Sequence, residues 1–219
     1  DPNDINGDGI SGVPNWIVLP SFISPFANAI SQNGRYIHRF GKKAAAYNLL
    51  HQTINAYNQD IGITSSFDPK DAYSGLDIDP EVSDVTIQNV VFYLQTLKVP
   101  IQRSQNDAEV MLGKNLFLQA GCESCHKQTL TTGFSNITPL SNKTIHPYTD
   151  LLLHDMGPGL NDGYTEGNAK TFEWRTPPLW GLGLSPNSQG GEYFLMHDGR
   201  AKSIEAAIQL HGGEAAASK

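Results

Sequence analysis

The chain has 219 residues, 39% hydrophobic and only 17% charged, with 21 Gly and 13 Pro. That composition excludes a disordered chain and fits a globular protein with many ordered loops, built as one large domain or two small ones. The formal charge of −7 excludes nucleic acid and an anionic membrane surface as partners, since both attract clustered Lys and Arg, and no apolar run approaches the roughly 18 residues of a membrane span.

The start of the chain alternates Asp4, Asn6 and Asp8, followed by Gly9 and the carbonyl of Ile10. This is the front half of a calcium loop, with oxygen donors at alternate positions and a glycine at the sharp turn. Asn15 stands where such a loop carries a bidentate Glu, and a plain polar turn is the competing reading. Further on, Leu50, Ile54, Tyr57 and Ile61 form one stripe and predict a helix over 42–60. Ile87, Val90, Val91, Leu94 and Leu97 predict a second over 83–97, with Pro100 just past its end. A third, over 107–120, carries Val110, Met111, Lys114, Phe117 and Leu118 at helical intervals and stops at Gly121.

Residues 122 to 126 read CESCH, and Cys122 and Cys125 are the only two cysteines. Two thiols at this spacing reach both vinyl groups of one porphyrin, and the imidazole of His126 follows at once to coordinate the iron, so the segment is read as a haem c site. A zinc site would need further ligands, and there is no second Cys pair. A thioredoxin-like pair would follow a strand in a βαβ pattern, which the sequence lacks.

An iron held by His126 has a sixth position to fill, from six other histidines and three methionines. Met156, within LLLHDMG, is one candidate; Met196, His154 and His197 follow. Stretches 127–150 and 157–191 are rich in Pro, Gly, Asn, Ser and Thr and read as long loops. Within the second, TFEWRTPPLWGLG contains Arg175, a candidate to hold a haem propionate, with a structural salt bridge as the alternative. Ser203 caps a last helix over 203–211, whose apolar face Ile204, Ala207 and Ile208 continues to His211. His211 is thereby directed inward, as a sixth-ligand candidate with Met156 its main rival, or as a hydrogen-bonded core histidine. With four helices and no convincing alternating strand, the expected fold is mainly α, its long loops wrapped around the haem.

Taken in order, GDGISGVPN (7–15), HRFGKKA (38–44), NQDIGITS (58–65), LFLQAGCESCH (116–126), LLLHDMG (151–157), RTPPLWGLG (175–183) and HDGRAKSIEAAIQLHGGEA (197–215) cover nearly the whole chain. This set resembles the bacterial di-haem cytochrome c peroxidase superfamily, most closely its di-haem oxidoreductase branch, also described as thiol oxidoreductases. The resemblance implies two haem domains, one haem reacting with peroxide and the other feeding it electrons. CESCH resembles the second, and no other CxxCH occurs. Residues 1–100 would then be the back half of an N-terminal cytochrome c-like domain and 101–219 the C-terminal haem c electron-transfer domain. The first haem would lie on a segment upstream, and the chain reads as a mature or trimmed piece.

The resemblance places the distal ligand of this domain on His211, where the peroxidases have a Met. It also matches a proton-transferring glutamate of the peroxidases to Asp60, followed here by Ile61 and Gly62; an exposed helix-end carboxylate is the alternative. The implied function is electron transfer through haem c within a peroxidase-like di-haem oxidoreductase, in the periplasm or outside a bacterial cell, with a donor or acceptor cytochrome or other redox protein as partner. A non-enzymatic electron carrier is the second expectation, and a calcium-stabilised scaffold with a structural haem the third.

Overall fold

The computed structural model describes residues 2–218. They divide into two compact units: Pro14–Lys98 together with Glu166–Asn168, and a second made of the residues up to Val13, Val99–Thr165 and those from Ala169 on.

The first unit opens with an antiparallel sheet of β1 (Asn15–Val18), β2 (Ser31–Gln32) and β3 (Arg35–His38), in the order β1-β3-β2. Asn33 and Gly34, at φ 51 and 72, form the two-residue turn between β2 and β3; positive φ at both positions lets the turn follow the strand twist. Asn15, opposite His38 in β1, is buried. Its amide donates to the carbonyls of Lys43 and Glu166 and accepts from Asn168 N, so both its amide hydrogens and its oxygen are engaged by backbone. Helix α1 (Leu49–Asn55) is capped by the Asn48 side chain and continues as a π-helical turn, Ala56–Asp60. Helix α2 (Asp84–Gln95), capped by Ser83, packs on α1. Ala44, Ala46, Tyr47, Ile54 and Ile87 form the core, with the polar His38, Lys43, His51 and Thr53 buried among the unit's residues.

The second unit contains α3 (Ala108–Gln119), capped by the Asp107 carboxylate, and two small hairpins: β4 (Leu130–Thr131) with β5 (Thr144–Ile145), and β6 (Leu153–Asp155) with β7 (Glu173–Arg175). Val13 bridges to Leu153. Two short helices follow, α4 (Ser185–Ser188) and α5 (Ile204–Leu210), the latter capped by Ser203. Leu153, Leu160, Ala169, Ala201, Thr149 and Thr176 are buried.

The mainly α expectation is corrected. Helix accounts for only 30% of the chain and strand for 14%, in several small sheets, which is not a mainly α cytochrome c fold. The strands run two to four residues, too short for alternation to show in sequence. The helix expected over 42–60 starts only at Leu49. Gly41 and Ala44 take left-handed backbone at φ 83 and 52, and Phe40 pairs with Ala46, so residues 40–46 form a tight loop that a right-handed helix cannot accommodate. The expected stripe on α3 is not covered: among the described residues α3 and α5 fully bury none of theirs, and Leu112 and Leu116 are more than half exposed.

Candidate functional site

Helix α3 delivers the CESCH segment. Gly121, at φ 74, ends the helix in the left-handed conformation that glycine adopts without steric cost. A single 3-10 turn, Cys122–Ser124, follows, and His126 N donates to Cys122 O at 2.9 Å. Both cysteines are free thiols, partly buried, and burial pushes the Cys122 thiol up.

His126 is held through one nitrogen. Its Nδ1 donates to the Tyr148 carbonyl at 2.9 Å, and Tyr148 takes left-handed backbone at φ 56. The Phe117 ring stands edge-on to both, its centroid 6.4 Å from His126 and 5.6 Å from Tyr148. Burial pushes the imidazole below its ordinary value. The ring is therefore neutral near pH 7, with its proton on Nδ1 and a lone pair left on Nε2.

His211 is anchored through the same ring nitrogen. It caps α5 rather than lying within it, and its Nδ1 hydrogen-bonds the Ala207 carbonyl at 2.7 Å. It lies near enough to His126 for its charge to disfavour protonation there. What places it is a backbone clasp between HGG (211–213) and DMG (155–157). A Cβ on Gly212 would come 2.7 Å from Met156 O, one on Gly157 would come 2.8 Å from Gly213 N, and one on Gly213 would collide with the Asp155 carbonyl. Met156 thus enters the site through its carbonyl, while its N donates to Phe172 O at 3.0 Å.

His154, on β6, is 3% exposed and lies between two carboxylates: Nε2 is 2.8 Å from Asp150 Oδ2 and Nδ1 is 2.9 Å from Glu214 Oε2. Cys125 Sγ is 3.6 Å from the same Nδ1. Burial alone would push this imidazole down, but the hydrogen bonds to Asp150 and Cys125 hold it up at about 10. Ser11 N and Oγ donate to Glu214, and Gly12 lies so close that a Cβ there would be 2.7 Å from His154 Cε1. Arg175, on β7, is half-buried; it donates to Thr176 O at 3.2 Å and feels the charge of Asp150. His197 stacks on Trp174 at 3.8 Å between centroids. A cavity of about 590 Å³ lies beside the motif, lined by Phe117, Tyr148, Ile145, Leu179 and Trp180 among others.

The structure thus gathers Cys122, Cys125, His126, His211, Met156 and Arg175 within one unit. Asp60 belongs to the other, exposed at the end of the π-helical turn. In the loop of Asp4, Asn6, Asp8 and Ile10, Asn6 donates to Asp8, Gly9 N to Asp4 and Ile10 N to Asp8, while Asp4 Oδ1 is buried without a hydrogen-bond partner. Among the described residues no group of three or more His, Cys, Asp or Glu is arranged to hold a metal ion. Asp150, Glu214, Ser11 and Gly12 were not legible as site residues. The i,i+4 spacing of Asp150 and His154 was the one local signal; nothing in sequence links either to Glu214.

A closely spaced thiol pair beside a neutral imidazole pinned by one nitrogen defines the site of a redox protein. Over residues 1–219 the chain matches the family described as "Di-haem oxidoreductase, putative peroxidase", and it belongs to that family. Comparison with curated proteins and with solved structures gives no match. Haem is the cofactor this family implies, and the residues fit it. Two thiols flank a 3-10 turn, His126 presents a free Nε2, and the apolar residues of α3 and α5 are left without cover in their own unit, a condition helices this short do not sustain unaided. No helix among the described residues is long and apolar enough to cross a membrane.

Proposed function

We propose that this chain is the electron-transfer part of a peroxidase-like di-haem oxidoreductase, with haem c bonded to Cys122 and Cys125 and ligated by His126 and His211. The observation that carries this reading is the His126 Nδ1 hydrogen bond to Tyr148 O, which sets the tautomer and aims a lone pair outward from Nε2. His211 repeats the device through Ala207 O, which favours it over Met156 as the second ligand. Bound haem supplies reversible one-electron iron chemistry. The chain's own residues hold each imidazole by its Nδ1, exclude water with Phe117 and Tyr148, and offer Arg175 as a cation for a propionate. Two imidazole ligands keep the reduction potential lower than a His–Met pair would.

The haem that meets peroxide would lie on an upstream segment, and a basic redox protein suits the chain's charge of −7. Covalent haem attachment would fit a location in the bacterial periplasm or beyond. Calcium at Asp4, Asn6, Asp8 and Ile10 belongs to the same reading, supported by the unpartnered Asp4 Oδ1; calorimetric titration with calcium tests it.

The deciding experiment is intact mass plus absorption spectra with and without hydrogen peroxide. One haem per chain and a low-spin spectrum support the assignment. A colourless protein with free thiols overturns it. The carrier reading is favoured instead if the chain joined to its upstream haem segment is also inert to peroxide.

A further inference from the structure

We propose that His154 is a positioning residue for Cys125, holding its sulfur ready to form the thioether bond to a haem vinyl group. The inference rests on the haem c reading above and concerns a residue that this reading leaves without a role.

The argument is geometric. Both ring nitrogens of His154 lie within 2.9 Å of a carboxylate oxygen, from Asp150 and Glu214, so the ring donates from both and cannot turn. An imidazole so engaged is no iron ligand, because neither nitrogen has a lone pair to give. Cys125 Sγ is its third neighbour, 3.6 Å from Nδ1 and within the longer range of a hydrogen bond to sulfur. Residues 11–13 close over the ring: Ser11 grips Glu214 twice, Gly12 lies against Cε1, and Val13 pairs with Leu153. The imidazole is thus a rigid donor whose direction is set by three segments of chain: its own with Asp150, the one carrying Glu214, and residues 11–13. A carboxylate pair serving only stability would not require a histidine with a sulfur at its second donor position.

In the bond-forming step the Cys125 S–H adds across the vinyl double bond. The Sγ–C bond forms at the carbon attached to the porphyrin, the π bond breaks, and the proton ends on the terminal carbon. No electron is gained or lost, so no oxidant is needed. Holding Sγ in one rotamer removes an orientational barrier from this addition.

The test uses the full chain, haem-free and reduced, with iodoacetamide as probe and peptide mass as readout. Cys125 in the Cys122→Ser chain is expected to alkylate about tenfold faster than Cys122 in the Cys125→Ser chain, the scale of one charge-assisted hydrogen bond. His154→Gln removes that difference and leaves the Cys122 rate unchanged. When co-produced with a c-type haem attachment system, His154→Gln accumulates chains with one thioether, at Cys122, seen by mass and by a red-shifted pyridine haemochrome band. Equal alkylation of the two single-thiol chains overturns the proposal without any His154 variant. So does a His154→Gln chain that carries both thioethers in wild-type yield. If the wild-type chain takes up no haem at all, the haem c reading fails, while the alkylation ratio still decides whether His154 governs Cys125.

Discussion

The carbonyl of Asp155 lies directly against the α-carbon of Gly213, leaving no room for a side chain. Gly213 also sits at φ 53, where an L side chain is strained. Gly213→Ala is therefore expected to cost about 3 kcal/mol, combining backbone strain with overpacking. Because His211 and Glu214 flank the glycine, the same change should weaken sixth-ligand binding, read as high-spin character in the spectrum of the haem-loaded protein. A denaturation midpoint equal to wild type would remove the clasp from the account.

Alkali should loosen the unit that contains His154. Its folded value of about 10 lies above the ordinary 6.5, so its contribution is fully present below pH 6.5 and is lost as pH rises toward 10, at roughly 1.4 kcal/mol per pH unit. Denaturant midpoints between pH 6 and 10 should fall in wild type and stay nearly flat in His154→Gln.

Acid should act on the other unit. Burial, then the nearby charge of His38, pushes His51 down to about 4, and burial lowers His38 as well. The unfolded chain binds protons that the folded one refuses, so stability is complete above pH 6.5 and falls as pH drops toward 4. His51 Nδ1 accepts from Tyr47 N at 3.2 Å, and His51→Gln should flatten this acid limb at a cost of about 1 kcal/mol. Hydrogen exchange at α1 as a function of pH measures it.

The second-ligand assignment separates cleanly by substitution. His211→Ala should open the iron to small ligands and turn a low-spin spectrum high-spin, whereas Met156→Leu should leave the spectrum and potential unchanged. The reverse pattern would make Met156 the ligand.

Asn15→Ala removes hydrogen bonds to Lys43, Glu166 and Asn168 backbone and should destabilise by about 3 kcal/mol, on the scale of roughly 1 kcal/mol per bond. Its amide is committed to those three groups, so calcium affinity, measured by calorimetry, should not change.

The parts legible in sequence are those whose cause is local. The CESCH segment spans five consecutive residues, and capping by Ser203 is set within one turn. The Ala44-Ala45-Ala46 run reads as helix by propensity, yet Ala44 and Ala46 are wanted in the core as small residues in a tight loop, and tertiary packing overrides the preference. The hairpin signal of Asn33-Gly34 was present but sat between strands of two and four residues, too short to announce themselves. The clasp and the His154 cluster pair residues far apart in the chain, Ser11 and Glu214 by 203 positions. No periodicity encodes such a contact.

That same separation sets an order on biosynthesis. The unit holding CESCH is interrupted by the excursion Pro14–Lys98 and cannot shut its strap until residues 211–214 have been made. Pro14–Lys98, by contrast, needs only the short segment Glu166–Asn168 to finish its contacts. The loop-closure entropy of so distant a pairing defers it to the end of folding, so the contact of Ser11 with Glu214 beside His154 is the last part of that unit to set.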